Sequence, residues 1–252
     1  MANPDEVYDQ DLTRLITTFN GILGDPASTP SSIISAILTE VTLALPQALA
    51  SSVWATVSRH PTHVDSILSK LNTVVDDERL QSLEVVGGDD GPEEFLSEFY
   101  TLLNETISDN LHIVPGDAEE RILTLNESNP VLTAALLQAV GLKVGLIDSE
   151  HHVWMIKETL GLDDTVQDPK EVLVVAALLV FEVMGAERVT SEVAEAGEET
   201  YDDVTKALAA LKDRDVVRDA NALALLEIVI GNAERKVNKC KRGEEAWSSL
   251  FT

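Results

Sequence analysis

Cysteine is almost missing from this chain: Cys240 stands alone among 252 residues, which excludes an internal disulfide framework and any cysteine-based zinc finger. Aromatics are scarce as well, at 4% against 44% hydrophobic residues. A supply dominated by Leu, Val and Ala suits helices packed on helices better than a sheet sandwich. Basic residues are few, 18 Lys and Arg against 44 Asp and Glu, for a formal net charge of −26. Binding to phosphate backbones rests on neutralising Lys and Arg, so this balance argues against general association with DNA, RNA or anionic membranes. It favours a basic or cationic partner, and it serves equally to keep a large apolar body soluble or to suit a salt-rich habitat. No long hydrophobic run is present: the longest, Val172 to Phe181, falls far short of the roughly 20 residues that cross a bilayer. No membrane insertion is expected. The opening stretch MANPDEVYDQDLTR lacks an apolar signal core, which points to the cytoplasm, with the nucleus as the alternative.

Catalytic patterns are missing too. There is no G-x-S-x-G, no phosphate-binding loop, no G-x-G-x-x-G and no H-E-x-x-H. Asp89 and Asp90 lack the spacing of a calcium loop. His60 and His63 lie three apart, close to Asp65, a spacing open to metal binding on one helical face or to plain exposure at a helix start. The expectation is a protein that is not an enzyme and holds no cofactor and no metal.

What is present is helical periodicity, punctuated by proline and glycine. Residues 1–7 read as a polar tail, and 8–252 as one continuous helical domain with a candidate loop or break at 75–92, where glycine and proline crowd. Apolar spacing predicts helices near 12–23, 30–45, 46–59, 61–74, 93–112, 117–125, 131–147 and 149–161. Pro46, Pro61 and Pro130 sit where a first helical turn tolerates them.

The C-terminal part repeats itself. Ala176, Leu179, Val183, Gly185, Gly197, Glu198 and Glu199 return 46 residues later as Ala222, Leu225, Val229, Gly231, Gly243, Glu244 and Glu245. Tyr201 returns as Trp247, and Val204 as Leu250. The four glycines read as turns between helices, where a left-handed conformation carries no Cβ penalty. A looser copy covers Ala134 to Gly141 and the helix 149–161, and helices 30–74 form a candidate earlier one. An echo at this period belongs to stacked helical units that bury their apolar faces only against their neighbours.

The stretch GNAERKVNKCKRGEEAWSSL, Gly231 to Leu250, resembles an armadillo repeat, and Gly185 to Leu208 is similar to it. The resemblance covers about 120 residues and blurs into the HEAT pattern. It implies an all-α, right-handed α-solenoid with a concave groove lined by the third helix of each unit, here 149–161, 199–212 and 244–251. It also implies that an extended peptide or another protein is the partner. Nuclear-import members of the family place Trp and Asn regularly along the groove. Here Trp154 and Trp247 fall in matching helices and the asparagines do not.

Two sets of residues are candidates for partner binding. Trp154, Tyr201 and Trp247 are either core aromatics or groove contacts of the kind that become interaction hot spots. Arg235, Lys236, Lys239, Lys241 and Arg242 place five of the 18 basic residues within eight positions. That run either docks an acidic segment or phosphate, or compensates the chain's own acids such as Asp202 and Asp203. Glu150, His151 and His152 open the helix of Trp154, as ligand contacts or a pH-sensitive patch, or as ordinary polar residues at a helix N-terminus. The expected function is an adaptor, scaffold or regulator acting through the groove. The alternative is a structural subunit that uses the solenoid for self-association or subunit contact.

Overall fold

A computed structural model describes residues 4–85, 93–111, 129–147, 151–162, 169–239 and 246–251. Among them are twelve α-helices and a single pair of two-residue strands, so the protein is all-α. No described helix is long and apolar enough to cross a membrane. The helix expected at 117–125, the acids Asp89 and Asp90, and Cys240, Lys241, Arg242 and Gly243 lie outside the described residues. The chain divides into two compact units, 1–107 with 144–147, and 108–143 with 148–252, so the division falls beyond the 75–92 stretch.

In the first unit, α1 (Pro4–Gly24) already includes part of the expected tail. Proline's fixed φ suits a first helical turn and Glu6 follows at the positive end of the dipole, so the polar stretch winds up. Leu15, Phe19 and Leu23, four apart, are its buried face against α3 (Leu45–Arg59). Ser52 donates to the Ile16 carbonyl at 3.3 Å within that interface. The segment α2 (Pro30–Thr39) begins with a reciprocal cap: the Thr29 side chain accepts from the Ser32 amide, and Ser32 Oγ accepts from the Thr29 amide. It packs on α4 (Val64–Val75), whose buried Val64, Ile67, Leu68 and Leu71 follow the expected stripe. Pro61 opens a 3-10 turn, Pro61–His63, which leads into α4 in place of a helix from 61. The short α5 (Glu78–Gln81) is capped by Asp77. Strands β1 (Glu84–Val85) and β2 (Glu93–Glu94) then pair antiparallel ahead of α6 (Phe95–Leu111).

The second unit opens with α7 (Pro130–Val144), where Asn129 accepts from the Val131 and Leu132 amides at 3.0 and 3.3 Å. Val131 to Gly141 are all buried, so this helix has no solvated stripe. Then come α8 (His151–Leu160), α9 (Glu171–Met184), α10 (Ala186–Glu195), α11 (Tyr201–Asp213) and α12 (Ala220–Glu234). Thr200 and Asp203 cap α11 reciprocally, and Asp219 caps α12.

The echoed apolar positions of α9 and α12 have the same role in both copies. Ala176, Leu179 and Val183 of α9 are buried, and so are Ala222, Leu225 and Val229 of α12. The two helices pack together and are tied at both ends. At their starts, Glu171 accepts from the amides of Arg218 and Asp219 at 2.6 and 2.7 Å. At their far ends, the Asn238 carbonyl accepts from the Ala186 amide at 3.4 Å. Helices tied start to start and end to end run side by side in parallel.

The glycines do not all behave alike. Gly185 has φ +106° and breaks the chain between α9 and α10, and Gly197 turns it between α10 and α11. Gly231, expected as a turn, lies inside α12. Asn221 to Ile230 are dominated by good helix formers under a firm Asp219 cap, and one helical glycine costs only about 1 kcal/mol. The helix therefore runs on to Glu234, and the left-handed residue is Lys236, at φ +52°. Of the helix expected at 244–251, the described residues Ala246–Phe251 form a 3-10 helix, longer than the three or four residues common for that geometry.

Candidate interaction surface

Helical phase decides what α8 presents. His152, Met155, Ile156, Thr159 and Leu160 recur three or four apart and are buried, where α8 packs on α9, α10 and α11. Trp154 falls between them and is 46% exposed, the most exposed aromatic among the described residues. Lys157 lies one turn on from Trp154 and reaches Glu199 at 3.0 Å, fastening α8 to the turn that precedes α11. The Lys157 ammonium beside it holds the Glu199 carboxyl below the usual carboxylate range, against the opposing effect of burial. The pair lies directly on Gly197: a Cβ there would run into both Lys157 Nζ and Glu199.

His152, which the sequence leaves open between a ligand contact, a pH-sensitive patch and an ordinary polar residue at a helix start, is 5% exposed and shares a hydrogen bond with Glu192 of α10, Nε2 to Oε2 at 3.1 Å. The other Glu192 oxygen accepts from Arg188 Nε at 2.7 Å. Burial alone would push this carboxyl up, but the contacts with Arg188 and His152 outweigh it and hold Glu192 below its ordinary value. A carboxyl with a depressed folded pKa adds stability above its unfolded pKa, roughly 4.3, and loses that contribution as pH falls through the folded value. Glu192→Gln should therefore lower urea stability at pH 7, and its deficit relative to wild type should shrink at pH 3 to 4. A deficit that stayed constant with pH would show that the charge of Glu192 contributes nothing.

Tyr201 is half-buried at the start of α11, and its hydroxyl donates to the Ala233 carbonyl at 2.9 Å. The Lys236 ammonium lies 4.7 Å from the centre of its ring, so the structure joins these two candidates. Arg235 donates to Asn232 Oδ1 at 3.2 Å, and Lys239 is exposed. Trp247 is 1% exposed and meets Phe251 edge-on at 6.0 Å, in a turn that packs on α9 and α12. Its indole is therefore core, the first of the two readings the sequence left open, and it is no groove contact. The amphipathic pattern of six residues was too short to say which side faces inward. In the first unit, His60 and His63 are exposed and stack at 5.8 Å.

Sequence reasoning missed Asn238. It follows α12, yet its Oδ1 accepts from the Arg188 amide at 2.9 Å and its Nδ2 donates to Glu187 at 3.3 Å. No local pattern signals a contact 50 residues away. No family model, no curated protein and no solved structure matches this chain.

Proposed function

We propose that this chain is a non-enzymatic protein–protein interaction module, an adaptor, scaffold or regulator whose second unit is an armadillo/HEAT-like stack. The observation that carries the reading is the parallel pairing of α9 and α12, sequence-equivalent helices tied start to start and end to end. Stacked repeats bury like against like in this way and leave an extended face for a partner. The pairing of α8 with α11, the third-helix positions of successive copies, fits the same order. Trp154 on α8 is the anchor on that face, since large aromatics at a surface are the residues most often worth several kcal/mol in an interface. The net charge of −26 selects a partner segment rich in Lys and Arg.

Cross-linking of a captured partner, with the linked positions mapped, tests this reading. Links should fall on 151–160 and 201–213, and Trp154→Ala should weaken capture at least about tenfold while leaving the melting midpoint nearly unchanged. Links that avoid both segments would remove the support for a groove. A salt-resistant oligomer by light scattering, with no partner segment held, would favour the structural-subunit alternative.

A further inference from the structure

We propose that residues 235–239 form a latch whose hold on α10 sets the packing of α8, the helix that carries Trp154. The latch begins where α12 ends. Lys236 takes φ +52°, its amide donates to the Ala233 carbonyl at 3.0 Å, and the Val237 amide donates to the Asn232 carbonyl at 2.9 Å. This pairing closes a helix end and turns the chain sharply. It delivers Asn238 to the N-terminus of α10.

That end of α10 has no cap of its own, because the N-cap residue is Gly185. Helix starts leave amide donors without intrahelical partners, and here Asn238 takes up two of them, Ala186 through its carbonyl and Arg188 through its side chain. Arg188 is the joint. Its amide is held by Asn238, and its guanidinium holds Glu192, whose second oxygen holds buried His152 on α8. An unbroken set of contacts, Asn238 to Arg188 to Glu192 to His152, thus runs from the basic segment to the Trp154 helix. Lys236, packed on the Tyr201 ring of α11, keeps the latch down on the same group of helices.

The device links the basic segment to Trp154, the residue that the proposed function assigns to a partner, and its purpose rests on that reading. The coupling itself is measured without a partner. Hydrogen exchange by mass spectrometry on the full chain would compare wild type, Asn238→Ala, Glu192→Gln and the double variant. Asn238→Ala should raise exchange several-fold in α10 and also in the amides of 155–160. Glu192→Gln should raise 155–160, and the double variant should add nothing further there, because the chain of contacts is already cut. Three outcomes would overturn the latch: an Asn238→Ala effect confined to α10, additive effects at 155–160, or raised exchange throughout the unit including α7. Loss of coupling with Trp154-dependent capture intact would reject the latch alone. Loss of capture with coupling intact would reject only the proposed function.

Discussion

Trp247→Ala should cost about 3–5 kcal/mol, the range for truncating a buried large aromatic where the surroundings cannot collapse into the space. Its indole is 1% exposed, stands edge-on to Phe251, and lies in a turn that packs on both α9 and α12. The change removes the contact that closes these two parallel helices on one side. In a chain of this size the loss should lower the melting midpoint by roughly 10 °C. Thermal unfolding followed by circular dichroism checks it. A midpoint within a degree or two of wild type would return Trp247 to the surface, and with it the reading of three groove aromatics.

The second large effect concerns two glycines that the sequence treats as equivalent. Gly185→Ala should cost about 2–4 kcal/mol. Backbone strain at φ +106° accounts for about 1–3 of this and the disturbed cap for the rest. A Cβ at Gly185 would come within 2.5 Å of Asn238 Oδ1 and 2.7 Å of its Cβ, so Asn238 would have to leave the α10 amides. Gly231→Ala should do the opposite. Gly231 is helical, and the nearest atoms to a Cβ there are those of the Arg235 guanidinium, from 3.4 Å, an ordinary contact with the far end of a flexible side chain. Replacing a helical glycine by alanine gains up to about 1 kcal/mol. Urea unfolding of the two variants side by side checks the pair. Equal destabilisation at both positions would mean that α12 ends at Gly231 after all.

These two sites show where the sequence was readable. Elements declared by local chemistry came through: Pro130 opens α7, and the buried stripes of α1 and α4 follow helical spacing. The echo also placed Ala176, Leu179 and Val183 in the core with their counterparts in α12, because burial of an apolar face is what such a repeat encodes. The miss at Gly231 arose because glycine permits a turn without requiring one, and strong helix formers on its N-terminal side decide the matter. Pro61 shows the same limit: it starts a turn, and the turn is 3-10.

The candidate site was less legible than the fold. Trp154 and Trp247 occupy comparable places in their copies, yet one is exposed and the other is core. Only the phase of α8 and the packing of the 246–251 turn separate them. Asn238 and the pairing of His152 with Glu192 were out of reach because their partners lie 50 and 40 residues away. Within the basic run, Lys236 has a partner inside the chain, the ring of Tyr201, which neither sequence reading of that cluster named.

Hydroxyl-radical footprinting of the intact chain, read at individual tryptophans, tests the central claim most directly: that the second unit presents Trp154 and encloses Trp247. The account predicts rapid oxidation of Trp154 and strong protection of Trp247 until the protein unfolds. Rapid labelling of Trp247 together with a protected Trp154 would contradict it.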